Sequence, residues 1–552
     1  MNKKAGILFI CLWLSAWATY AQLNAPINHD YTREMNRYLE QRTSGFHTAI
    51  KPYDQIEVDS MVTIDSIYDF KSHEGYLNNL ANGNFVDVKK EKFALTLNPL
   101  FDISFGYDLQ DKSVTYETAI GAQLTATMWD KVGVGFNYRK YYGDPFNYAK
   151  DRIIERQIVP GYGKVKDLSA NTLSSQAFEG YINIRANKHF SAEGGYGKHF
   201  WGDGYRSFFL SDNATSYPYL KFTANFWRVK YVYLFSVLKS SAIDTAPSTT
   251  GQRLSTTFDI DDTETKYGVF HYLSIDAAKW MQFGFFEGVV WKRADSTGVR
   301  GIEWNYLNPV AFIRPIEFAI GSPDNVILGF NFKFKLGDKN SIYTQLILDD
   351  LDIGSARKGS GFYRTKVAWQ IGYKSYDLFK IEHLDVQTEF NLVRPYVFAH
   401  KSKEQNYAHL SQSLTHPLGA NFWEWLVFVD YRKDRWMASM DFQWVKQGGD
   451  DSNNPDADHQ GSNIFVSDFD IDNIIGGNLD SAFGNEFLQG RVNDITFIKV
   501  SGGYLLNPTL NMELRAFVQH RVKNIPSIDF SEKSTVVGLS FRTNLFNKYY
   551  DF

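Results

Sequence analysis

Val326-Ile327-Leu328-Gly329-Phe330-Asn331-Phe332-Lys333-Phe334-Lys335-Leu336 is the stretch that decides the fold. Val326, Leu328, Phe330, Phe332, Phe334 and Leu336 fall on one side of an extended chain, and Gly329, Asn331, Lys333 and Lys335 on the other. A period of two means a strand with one apolar and one polar face. The pattern recurs. Leu384, Val386, Thr388, Phe390 and Leu392 oppose Asp385, Gln387, Glu389 and Asn391. Val132, Val134, Phe136 and Tyr138 oppose Gly133, Gly135, Asn137 and Arg139. Met512, Leu514, Ala516 and Val518 oppose Glu513, Arg515 and Gln519. A soluble sandwich alternates in the same way. Two features favour a membrane barrel. The segments are long enough for tilted membrane strands, and aromatics crowd strand ends, as at Tyr138, Tyr141 and Tyr142, where an interfacial girdle would sit.

Roughly eighteen such segments are expected between residues 93 and 546, the last over about 534–546. The connections differ in length. Residues 143–172, 241–263, 295–323, 399–421 and 447–490 are long and polar, whereas the links near 228, 337–340 and 507–508 are tight. Long loops at one end and short turns at the other is the outer-membrane arrangement. The expected fold is all-β: a transmembrane antiparallel β-barrel over 93–552, with a small N-terminal helical or irregular periplasmic part.

Composition agrees. The chain has 552 residues, 44 Phe, 33 Tyr and 13 Trp, and a formal net charge of −4. That charge argues against nucleic acid as a partner. Mean hydropathy is −0.33, as expected where only alternate strand residues face lipid. Lys3 and Lys4, the apolar run Ala5 to Leu14, and Thr19-Tyr20-Ala21 read as a signal peptide over 1–21. The single cysteine, Cys11, lies within it, so the mature chain is expected to form no disulfide or thiolate metal site. Residues 22–92 read as a plug-like segment. Asp30 is expected to cap a helix over about 31–42, with Tyr31, Met35, Tyr38 and Leu39 on one face.

One run is neither a good helix nor a plain strand. Residues 194–213, GGYGKHFWGDGYRSFFLSDN, interleave glycine with bulky aromatics. Glycine permits bends and close approaches, and the rings need a surface to lie on. The run reads either as a hairpin turn or as a loop folded into the lumen, with Trp201 filling space and Asp203 and Arg206 pairing with polar lumen residues.

Phe200-Trp201-Gly202-Asp203-Gly204, followed by Leu210-Ser211-Asp212-Asn213 and Pro218, resembles the signature of the Wzi-type capsule-assembly proteins of Gram-negative bacteria. Three further blocks resemble that family in order. The first is Asn308-Pro309, Arg314-Pro315 and Leu348-Asp349-Asp350, and the second Arg394-Pro395-Tyr396 with His416-Pro417-Leu418-Gly419-Ala420. The third is the close, Leu545-Phe546-Asn547-Lys548-Tyr549-Tyr550-Asp551-Phe552, which is similar to members from the Bacteroidetes, including RemB-like gliding-motility proteins. The resemblance implies an eighteen-stranded outer-membrane barrel, a helical part at its periplasmic mouth, and a non-enzymatic role with surface polysaccharide. The Bacteroidetes members imply an alternative, a structural or adhesive component of gliding motility or of a surface secretion apparatus.

The sequence holds no H-E-x-x-H, G-x-S-x-G or P-loop. Nothing in their spacing links His199, His271, His383, His400, His409 or His416 to a catalytic partner. No cofactor or metal is expected. The acidic run 449–459 carries Pro455 where a calcium loop needs a ligand, and reads as a solvated loop. Binding is easier to motivate. Tyr141, Tyr142, Trp304, Tyr306, Tyr407 and Trp423 are candidates for stacking on sugar rings, or else members of the girdle. Trp201, Gly202, Asp203, Gly204, Arg206, Ser211, Asp212 and Asn213 are the candidate lumen-loop residues.

Overall fold

The computed structural model describes residues 23–62, 81–129, 131–169, 172–244, 257–295, 298–308, 324–350, 353–449, 459–468, 482–543 and 546–551. The leader and most of the acidic run lie outside these residues, as do Pro309, Arg314 and Pro315.

Among the described residues, 18 antiparallel strands close into a barrel. They are β1 (Phe93–Asp108), β2 (Ser113–Met128), β3 (Val132–Asp144), β4 (Thr172–Arg185), β5 (Phe190–Gly197), β6 (Tyr217–Phe226), β7 (Val229–Asp244), β8 (Thr257–Ala278) and β9 (Met281–Lys292). They continue as β10 (Asn325–Lys335), β11 (Asn340–Asp350), β12 (Lys366–Ser375), β13 (Leu384–Val393), β14 (Phe422–Lys433), β15 (Trp436–Gly449), β16 (Arg491–Asn507), β17 (Met512–Ile525) and β18 (Phe530–Arg542). Each pairs with its chain neighbour, and β18 closes the ring on β1 with Gly538 opposite Gly106. Closure removes the unpaired edges that an open sheet would present.

The short connections, such as 227–228, 279–280 and 434–435, gather at one rim, and 145–171, 198–216 and 394–421 at the other. In β10 the burial alternates as the sequence does: Asn331, Lys333 and Lys335 are buried inward, and Phe330, Phe332 and Phe334 face out. Phe105, Ile120, Phe136, Ile182 and Leu539 belong to the same exposed outer belt. Trp129, Trp227, Trp280 and Trp436 stand exposed at the short-turn rim, with Phe379 beside them. An apolar belt edged by tryptophans suits a lipid bilayer and its interface. The girdle is clearer at this rim than at the Tyr138–Tyr142 end. There Tyr138 and Tyr142 face out, but Tyr141 points inward and is buried.

Three expectations are corrected. The sheet begins before residue 93, because Val86–Lys90 pairs with β1, Val86 opposite Leu97. The first helix, α1, spans His29–Leu39 and is capped by Asn28, whose side chain accepts from the Tyr31 amide; Asp30 sits inside the first turn instead. A short amide at the cap position satisfies an orphan N–H, and Asp30 then favours the positive end of the helix. The last strand ends at Arg542, and Phe546, Tyr549 and Tyr550 do not extend it. All three are buried inside the lumen.

Candidate functional site

Among the described residues, three pieces of chain enter the lumen. The first is the N-terminal plug. The apolar face of α1 rests on Phe46, Tyr53, Val58 and Val62 and forms a small core of its own with Met35 and Leu39. The short helix α2 (Gln55–Asp59) completes it, capped by Asp54. The plug meets the wall through polar groups. Asp30 pairs with Arg515 at 2.9 Å, Arg33 with Asp430, Arg37 with Asp377 and, at 2.6 Å, with Asp385, and Glu40 with Lys374 at 2.8 Å. On the opposite side Glu57 pairs with Lys230 at 2.8 Å, and the His47 ring lies 2.7 Å from the Ser274 hydroxyl.

The second piece is the glycine-aromatic run. It leaves β5 at Gly197 and crosses the lumen before returning to β6. Phe200–Trp201 pairs with Ile50–Lys51 of the plug. Trp201 is 0 % exposed and packs near Tyr272 and Phe286. Phe209 stacks on Phe286 with ring centres 4.8 Å apart. Two glycines allow the chain to pass close to side chains from the wall. A Cβ at Gly202 would come within 2.7 Å of the Gln345 amide, and one at Gly204 within 2.7 Å of the Arg206 carbonyl and closer still to Glu389.

Asp203 and Arg206 of the run both bind partners outside it. Asp203 accepts from Lys333 at 2.8 Å, from Asn331 at 3.0 Å and from Thr48 of the plug at 2.6 Å. Burial would raise its carboxyl, but Lys333, Lys374 and Lys51 outweigh that and hold it below the usual carboxylate range. Burial, with Lys374 and Lys333 nearby, lowers Lys51 itself to about 7, although Asp203 opposes the shift. Arg206 donates to Glu424 at 3.0 Å, and Glu389 accepts from the Tyr205 and Arg206 amides at 2.7 and 3.1 Å. Ser211 donates its amide to Leu414, and Asn213 its side chain to the Ser413 carbonyl.

The third piece is the C-terminal tail. Tyr549 and Asn547 donate to Asp212 at 2.6 and 2.8 Å, Tyr550 donates to Glu117 at 2.6 Å, and Lys548 pairs with Asp102 at 2.8 Å. Asp551 accepts from Arg206 at 2.9 Å. Burial raises the Asp212 carboxyl, against Lys198 and these two donors. Sequence reasoning missed the tail. Its one signal is that the alternation stops at Phe541, after which Asn547 to Asp551 are polar and aromatic without a period.

The six candidate sugar-stacking aromatics separate. Tyr141, Tyr306 and Tyr407 are 0 % exposed, so no ring face is free for a ligand. Their hydroxyls bond within the protein: Tyr141 to Glu117, Tyr306 to Asp324, and Tyr407 to the Phe209 carbonyl. Tyr142 is exposed on the outer face, and Trp423 lies there between Phe390 and Trp444. Tyr141, Tyr306 and Tyr407 are thereby corrected from glycan contacts to packing residues, while Tyr142 and Trp423 sit where the girdle alternative puts them. Trp304 differs: it is 79 % exposed in a long connection, between Glu303 and Asn305.

No protein-family model and no curated protein matches the chain. Among solved structures the decisive likeness is one of shape. The barrel is similar to Wzi. That protein of Escherichia coli, involved in group 1 capsule assembly and described as a carbohydrate-binding β-barrel, matches with a TM-score of 0.52 at 11% identity. The match with Wzi covers 94% of this chain and 99% of the other. Looser matches include Pseudomonas aeruginosa OprD (TM-score 0.39, 9% identity, 81% of this chain and 94% of that one) and OpdK (0.40, 10%, 82% and 98%). The likeness to Wzi is one of fold, an outer-membrane barrel of matching extent.

Proposed function

We propose that this protein is a non-enzymatic outer-membrane barrel that binds or anchors surface polysaccharide with its long-loop face. The observation that carries this reading is the filled lumen. Plug, crossing loop and tail occupy most of the space through which a porin would pass solute, leaving the long-loop rim as the surface for recognition. An apolar outer belt with a tryptophan girdle supports residence in the outer membrane, after export by the N-terminal leader. On that rim the exposed Trp304 ring, flanked by Glu303 and Asn305, offers a face for a sugar ring with hydrogen-bonding groups beside it. The fold likeness to a carbohydrate-binding barrel and the ordered motif resemblance support the same reading.

The test is a glycan screen on detergent-solubilised protein, run beside Trp304→Ala. Retention of capsular or other surface glycan, weakened in the variant, is the expected result. No glycan binding by well-folded protein would overturn the reading. Co-purification with motility or secretion components in its place would favour the adhesive role of the RemB-like, Bacteroidetes proteins that the C-terminal motif resembles.

A further inference from the structure

The lumen is filled unevenly. Against β8–β11 the crossing loop packs dry, with Trp201, Phe208 and Phe209 against Tyr272, Phe286 and Ile347 in one apolar cluster. Against β15–β18 and β1 a cavity of about 200 Å³ remains. It runs from Glu117, near the long-loop rim, to Glu513 and Arg542, at the strand ends of the short-turn rim. Ser104, Ser501 and Ser540 keep its wall thin and polar. Charges of both signs face it: Asp441 stands across the β15–β16 ladder from Lys499, Lys548 lies beside Asp102, and Glu513 lies 2.8 Å from Arg515. Several buried polar atoms around it, Nε of Arg33 and Arg515, Oε1 of Gln443 and Oδ1 of Asp551, have no protein partner among the described residues. Such atoms favour a hydrated space.

Side chains narrow both ends. At the short-turn end α1 lies across the space, held by the Asp30–Arg515 and Arg33–Asp430 pairs. At the long-loop end Phe146 meets Tyr550 edge-on at 6.1 Å and stacks on Tyr148 at 5.8 Å. Ion pairs and aromatic edges exchange without breaking the sheet, so both constrictions can widen while the barrel stays intact.

We propose that this chamber is a gated passage for water and small inorganic ions along the β15–β18 wall, with α1 as its gate. Interleaved charges favour neither sign, so the passage carries K⁺ and Cl⁻ alike, while the dry half of the lumen stays sealed.

Single-channel recording of the full-length protein in planar bilayers with KCl tests this. Wild type is expected to show small, rare openings. The double variant Asp30→Asn/Arg33→Gln should raise open probability roughly tenfold, with a reversal potential near zero in a KCl gradient. Adding Ser104→Trp, which fills the chamber from the wall, should return the double variant to the wild-type level. Heat-modifiable gel mobility confirms that each variant is a folded barrel. A folded double variant that stays silent, or one whose current Ser104→Trp does not reduce, overturns the proposal.

Discussion

The Arg206 guanidinium lies 2.9 Å from the Asp551 carboxylate and 3.0 Å from that of Glu424, so one side chain joins the crossing loop, the C-terminal tail and the barrel wall. Glu424 is fully buried and also accepts from His416 at 2.7 Å, Asn391 at 2.8 Å and Gln443 at 2.6 Å. Burial opposes the Arg206 charge, but Asp551 and Glu424 raise its pKa well above the ordinary value. Replacing Arg206 by Ala strands a buried carboxylate and should destabilise the folded barrel by about 3–5 kcal/mol. Asp551→Asn keeps the Glu424 pair and should cost about 1–3 kcal/mol. The midpoint of the heat-modifiable gel shift measures both. A larger loss from Asp551→Asn would place the anchor in the tail and not in the wall.

Trp201→Ala should leave insertion intact, because the outer belt is untouched. Its indole N–H has no protein partner among the described residues, so what is lost is packing against Tyr272 and Phe286. The expected cost is about 3–5 kcal/mol, with a higher small-solute leak through the formerly dry half. Ser104→Trp should not suppress that leak, since it fills the other half. Liposome swelling separates the two routes.

Phe330 lies at the middle of β10 on the outer face. Phe330→Arg should impair insertion by about 2–4 kcal/mol, read as barrel recovered from the outer-membrane fraction. Arg at Asn331 would be harmless in a water-filled lumen. Here Asn331 is buried and donates to Asp203, so Asn331→Arg should insert but expel the crossing loop. Protease cleavage within 198–216 would report the expulsion. Resistance equal to wild type would count against the packed lumen.

Acid should loosen the lumen. His47 of the plug and His409 of the 394–421 loop are both pushed down to about 3, and His199 of the crossing loop well below its ordinary value, with burial the first cause in each. A released imidazole takes up a proton near its ordinary value of about 6.5 while the docked one does not. The unfolded state therefore binds more protons, and stability falls as pH drops from about 6.5 toward 3. Thermal midpoints at pH 7.5 and 5 should show the loss, and His47→Gln should reduce it. A midpoint that rises on acidification would show that these rings are docked as cations.

Much of the barrel was legible because period two is a local property. The run 326–336 announced β10 and its two faces, and 384–392 did the same for β13. Trp201, Asp203 and Arg206 stood out because glycine beside aromatic is poor strand chemistry. Tyr141, Tyr306 and Tyr407 misled because a tyrosine in a polar stretch reads alike on a loop surface and under one.

Reading the residues in order suffices for the strands, their number within the barrel range, which side of each is apolar, and the apolar face of α1. These follow from spacing along a single chain. What the polar faces meet depends on the folded barrel. A lumen-facing Lys333 or Glu424 has the same alternation whether it touches water, a plug or a tail, since its partner, Asp203 or Arg206, lies more than a hundred residues away. Likewise Phe546, Tyr549 and Tyr550 carry the composition of a strand end. Their place inside the lumen depends on Asp212, Glu117 and Arg139, which reach them only once the ring has closed.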